Sequence, residues 1–86
     1  MVELKNINGI SIRILTRYEH YPAHVHVKKG NNEYKIYMNL HTEVKTGSFK
    51  KSELKPVKQF IYKHRKQITK MYIDMIEKGK TPKAIK

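Results

Sequence analysis

Apolar residues fall into two regimes along the chain, alternating with polar ones before about Gly47 and recurring every three or four residues after Ser52. After the turn signal Asn8-Gly9, Ile10, Ile12 and Ile14 alternate with Ser11 and Arg13. Side chains on a strand point to opposite faces in turn, so this predicts a strand with one buried face, ending near Tyr18-Glu19 before a turn at Pro22. A second strand is predicted over Ala23–Lys29, with Ala23, Val25 and Val27 on one face and His24, His26 and Lys28 on the other. Gly30-Asn31-Asn32 is hairpin-loop chemistry. The return strand, Glu33–Asn39, places Tyr34, Ile36 and Met38 opposite Lys35 and Tyr37. A turn near His41-Thr42 and a short strand about Val44, closed by Gly47, complete this half.

Beyond it Leu54, Val57, Ile61, His64, Ile68, Met71 and Met75 form a helical seam, widened by Phe60, Tyr72 and Ile76. Ser52 is the expected N-cap, Glu53 suits the first turn, and Lys78-Gly79 with Pro82 ends the helix. A helix over 52–79 exceeds what short strands can cover. It is therefore expected to bend near His64–Lys66, or to pack its far half on a second copy. The predicted fold is α+β: one domain, 1–86, with a small antiparallel sheet of three to four strands (8–47), a long C-terminal helix on one face, and a short tail (80–86) anchored by Ile85. A domain of this size buries only about 60% of its unfolded surface, so the core is thin and a homodimer is compatible with it.

Charge changes this picture. The net charge is +12, and residues 50–86 carry most of it: 12 Lys/Arg against 3 Asp/Glu, compared with 7 against 4 in residues 1–49. Such a field attracts polyanions, which makes nucleic acid the expected partner, RNA before DNA. The absence of cysteine excludes disulfides, thiolate metal sites and a cysteine nucleophile. Nothing reads as a signal peptide or membrane span, so a cytoplasmic location and no membrane partner are expected.

Three of the five histidines lie in His20-Tyr21-Pro22-Ala23-His24-Val25-His26. Strand alternation makes His24 and His26 co-facial, beside Arg13, Arg17, Lys28, Lys35 and Tyr37. This set supports several readings. His24 and His26 could serve as general base and acid in metal-independent RNA cleavage, with the cations stabilising the phosphorane. His20, His24 and His26 could instead ligate zinc or another divalent metal, with the fourth position open, whereas the cleavage reading needs no cofactor. The patch could bind RNA without cleaving it, or the histidines could be structural. His64, on the helical seam, is read as buried, and His41 as exposed in a polar turn.

The run Glu19-His20-Tyr21-Pro22-Ala23-His24-Val25-His26-Val27, followed by Gly30, Glu43-Val44 and Gly47-Ser48 before a long helix, resembles the bacterial family labelled domain of unknown function 4160. The resemblance runs from about Ile12 to Ile85. Ala23 stands where the family usually has a second proline, Val25 where it has an aromatic residue, and Tyr37 where it often has an acid. The resemblance implies a small basic effector, the toxin-type component of a toxin–antitoxin-like module, neutralised by a cognate small antitoxin-like protein. A non-enzymatic nucleic-acid or nucleoprotein-binding protein, such as a phage-type inhibitor, is the alternative.

Overall fold

Five strands form a single antiparallel meander, and two helices follow it. The computed structural model describes residues 2–16 and 21–85. In chain order the elements are β1 (Val2–Ile7), β2 (Ile10–Ile14), β3 (His24–Lys29), β4 (Asn32–Tyr37), β5 (Thr42–Thr46), α1 (Lys51–Lys63) and α2 (Arg65–Lys78). The sheet order is β1-β2-β3-β4-β5, every neighbour antiparallel. The α+β class agrees with expectation, but the sheet has five strands and the single helix is two.

The strand that the sequence pattern did not predict is β1. Asn8 (φ 52°) and Gly9 (φ 85°) form a two-residue turn that pairs Ile7 with Ile10. Both central positions need positive φ there, which asparagine and glycine tolerate. The register of β1 slips between Glu3 and Lys5, leaving Leu4 as the inserted residue of a bulge. The Leu4 side chain is buried, and its carbonyl accepts the Ile85 N–H at 2.8 Å. Ile85 is itself buried, so the expected anchor of the tail docks on the edge strand β1.

Val25, Val27, Ile36 and the β2 isoleucines form one buried cluster with Leu54, Val57 and Ile61 of α1 and with Ile68 and Tyr72 of α2. Phe49 closes the approach to α1: its ring meets Tyr34 edge-on at 4.9 Å, and its N–H donates to the Tyr34 hydroxyl at 3.1 Å. The α1 N-cap is Lys50, not Ser52. The Glu53 carboxylate reaches back to accept the Lys50 N–H at 2.9 Å, which satisfies one otherwise orphaned donor.

The helix breaks at His64 (φ −104°, ψ 14°) without proline or glycine. Side chains take carbonyls on both sides of the break. Arg65 Nη1 donates to the Tyr62 carbonyl at 2.7 Å, and Thr69 Oγ1 donates to the Arg65 carbonyl at 2.7 Å, a back-bond of the kind that bends helices. The break rephases the seam. Ile68 and Tyr72 are the fully buried residues of α2, whereas Met71 and Met75 pack only partly and Ile76 is exposed. Half-buried His64 stacks on Phe60 with ring centroids 4.6 Å apart. Among the described residues no helix is long and apolar enough to cross a membrane.

Candidate functional site

Strand alternation puts His24 and His26 on the sheet face opposite Val25 and Val27, and their rings meet edge-on with centroids 5.2 Å apart. The two are co-facial as expected, yet they do not lie on an open surface: His24 is 2% exposed and His26 8%. Tyr37 from β4 and Tyr72 from α2 hold the His24 ring at 5.5 and 5.4 Å. His24 Nδ1 lies 2.9 Å from the Pro22 carbonyl and 3.3 Å from the Tyr72 hydroxyl. A carbonyl can only accept, so the Pro22 contact places a proton on Nδ1 and makes Nε2 the basic nitrogen of the neutral ring. His26 Nδ1 lies 3.6 Å from Glu33 on β4. Tyr21 connects the same corner to α2. Its ring is 6.0 Å from that of Tyr72, and its hydroxyl donates to Glu77 at 2.7 Å. That hydrogen bond, aided by burial and the Glu77 charge, raises the Tyr21 phenol above its ordinary value.

The cations expected around the histidines are present but balanced. Arg13 is the register partner of Glu3, Lys28 of Glu33, and Lys35 of Glu43. Arg13 Nε also donates to Ser11 at 2.8 Å, and the Lys35 ammonium sits 5.1 Å from the centre of the Tyr37 ring. The Ser11 hydroxyl, the Asn6 amide and the Arg13 guanidinium hold the Glu3 carboxyl below its usual range. The polar sheet face thus alternates in sign, with opposite charges in facing positions. Arg17 and His20 lie outside the described residues. Among the described residues no three His, Asp or Glu side chains converge in a group able to hold a metal ion.

The unbalanced charge is on the helices. Their acids are engaged locally: Glu53 at the α1 cap and 3.9 Å from Lys29, Asp74 3.8 Å from Lys78, and Glu77 with Tyr21. A groove of about 620 Å³ runs along α1, floored by Leu40 and Leu54 and rimmed by Lys51, Lys55 and Lys58, with exposed Tyr62 at its end. The Arg65 guanidinium stacks over the Tyr62 ring at 4.1 Å. A second depression, of about 390 Å³, is lined by Arg65, Lys66 and Lys70 with Met38, Thr69 and Ile73. No acidic residue lines either one.

Met38 and Thr69 also line a third cleft, of about 440 Å³, which continues to Tyr37, Asn39, His41 and Glu43 and is backed by Pro22 and Ala23. Three openings therefore surround one turn, Met38–His41. Leu40 holds that turn at φ 70°, a strained value for a branched side chain. Within the cleft Tyr37 donates to Glu43 at 3.1 Å, and the His41 ring lies 5.7 Å from the Tyr37 ring. His41 is exposed, as read from the sequence, but it is a wall of this cleft. Glu43, Asn39 and Thr69 were not singled out as site residues. Asn39 in a turn was the available signal, since a tight β4–β5 connection brings positions 37, 41 and 43 together.

No curated protein and no solved structure matches the chain. The model of one protein family matches residues 9–72, from the β1–β2 turn to Tyr72 and short of the Pro82–Ile85 tail. The matched span includes the Pro22–His26 corner and the walls of the cleft. The chain belongs to the family described as Domain of unknown function (DUF4160).

Proposed function

We propose that the protein binds single-stranded RNA, and that the helical side makes the contact rather than the histidine-bearing sheet face. One observation carries this reading. Arg13, Lys28 and Lys35 of the polar sheet face each oppose a carboxylate in the adjacent strand, whereas six helical cations line two depressions that contain no acid. Phosphate contacts release counterions, at about 0.7 per cation for a single strand. Engagement of all six cations corresponds to a slope near −4 for log affinity against log salt. Tyr62, stacked with Arg65 between the two depressions, supplies a surface for a base. As a toxin-type effector, the protein would present this same surface to a small acidic neutralising partner.

The test is binding of a labelled single-stranded RNA across a salt series. Lys55→Glu with Lys58→Glu, and Lys66→Glu with Lys70→Glu, are expected to abolish binding and flatten the slope. Lys28→Ala and Lys35→Ala are expected to leave both largely intact. Salt-insensitive binding, or equal losses from both groups of variants, would overturn the reading.

RNA cleavage is a second reading, favoured by the Pro22 contact that leaves His24 Nε2 as the basic nitrogen beside His26. It predicts that His26→Gln stays folded and loses cleavage of a bound RNA while retaining affinity. Intact cleavage in that variant would remove the histidine pair from the chemistry.

A further inference from the structure

We infer that the cleft between the β4–β5 turn and α2 is a pocket for one unpaired guanine base, with the neighbouring cations holding the phosphates on either side of it. This rests on the RNA-binding reading and names the part of the ligand that would be recognised by sequence. Its volume, about 440 Å³, lies in the range of pockets that enclose a small organic ligand. Its walls suit a flat heteroaromatic ring. Tyr37 and His41 present two rings 36° from coplanar, while Pro22, Ala23 and Met38 supply apolar surface. Base stacking on such rings tolerates any base, so discrimination has to come from the polar groups.

Two groups in the cleft select. Glu43, when ionised, is acceptor-only. One of its oxygens accepts the Tyr37 hydroxyl, which fixes the carboxylate at the cleft wall with its second oxygen still an acceptor. Asn39 uses its side-chain oxygen to accept the His41 N–H at 3.0 Å, so the amide nitrogen is the end that can donate to a ligand. The cleft thus combines a carboxylate with an amide donor. The Watson–Crick edge of guanine carries the complement, two adjacent N–H donors (N1 and the exocyclic amine) beside the O6 acceptor. Uracil has a single N–H between two carbonyls, and either carbonyl would face the carboxylate with repulsion. Adenine and cytosine each place a ring-nitrogen lone pair beside the amine and meet the same conflict. Arg65, Lys66 and Lys70 line the depression that shares Met38 and Thr69 with this cleft, so a base in the cleft leaves its backbone over three cations.

The experiment compares the affinity of the purified protein for a short oligouridine with that for the same oligomer carrying one central guanosine, at fixed salt. A matched pair of hydrogen bonds to a base edge is expected to favour the guanosine oligomer by about tenfold or more. Glu43→Gln, of the same shape, turns one acceptor into a donor and is expected to bring the ratio to about one. Lys66→Glu with Lys70→Glu is expected to weaken both oligomers together. Equal affinity for the two oligomers in the unaltered protein, or a preference that survives Glu43→Gln, would overturn the pocket and leave RNA binding standing. Failure to bind either oligomer would overturn both.

Discussion

Replacing His24 by alanine tests whether the most buried polar residue of the Pro22–His26 corner holds the fold together. The ring is 2% exposed and is bounded by the rings of Tyr72, Tyr37 and His26 at 5.4, 5.5 and 5.2 Å. Truncation removes those contacts and opens a cavity that the sheet backbone cannot close, a loss of about 2 kcal/mol for a side chain of this size. It also leaves the buried Tyr72 hydroxyl without its imidazole contact, for about another 1 kcal/mol. The Pro22 carbonyl belongs to an exposed residue and can turn to water, so it adds little. The sum, about 3 kcal/mol, is a large share of the roughly 4–13 kcal/mol available to a domain of this length. It corresponds to a fall in Tm of about 12–24 °C. Urea denaturation followed by circular dichroism should show a lower midpoint at unchanged slope. Tyr72→Phe is expected to lose about 1 kcal/mol, and His41→Ala, on the exposed turn, less than about 0.5 kcal/mol. A His24→Ala loss below about 1 kcal/mol would refute the packing role. Any activity lost on truncating His24 must therefore be separated from stability before it is read as chemistry.

Ile85→Ala should cost about 2 kcal/mol in the same assay, because a buried anchor is lost where the tail meets Leu4; a neutral result would mean that the tail is not docked in solution. Gly47→Ala is expected to be among the most damaging single-methyl additions. Gly47 has φ 67°, and an added Cβ would overlap the Asn32 amide and approach the Asn32 Cα to 3.0 Å, displacing the side chain that accepts the Ser48 N–H. A variant with an unchanged melting temperature would contradict that geometry. For Tyr21 the folded-state phenol is raised above 10.0 by Glu77. The contact therefore contributes stability fully present below that value and lost as pH rises through the raised one. Nuclear magnetic resonance titration of the ring should show the Tyr21 midpoint returning toward 10.0 in Glu77→Ala, and an unmoved midpoint would exclude the hydrogen bond as the cause.

The legible parts of the fold were those where a period ran unbroken. The alternation Ile10-Ile12-Ile14 and the faces of β3 and β4 follow the pattern directly, and so does the co-facial placement of His24 and His26. The strand β1 was hidden by its own bulge. Insertion of Leu4 changes the parity between Val2 and Ile7, so no period-two signal survives, although Asn8-Gly9 is the strongest short hairpin signal and implies a strand before it as well as after. The helix break at His64 was legible from length, as the bend expected near His64–Lys66, but the contacts around it were not: Arg65 and Thr69 compete for backbone carbonyls only once a helix exists. The nature of the polar sheet face was out of reach because it depends on register. Arg13, Lys28 and Lys35 read as a basic patch until Glu3, Glu33 and Glu43 are known to stand opposite them. His41 and Glu43 joined the cleft for the same reason, through a turn whose geometry their spacing alone does not fix.

The cross-strand opposition of charges on the sheet also bears on kinetics. A sheet whose positive and negative groups cancel at short range has little field beyond a Debye length, about 8–10 Å at ordinary salt, while the helical cations retain theirs. The molecule is then a lopsided charge, with an electric moment pointing out through α1 and α2. In the potential of any polyanion it would rotate before contact, so that most encounters begin with the helical side forward and few begin on the charge-balanced face. Such orientation raises the association rate constant more than it slows dissociation. Neutralising Glu33 and Glu43 would leave every helical contact in place and still blur that orientation.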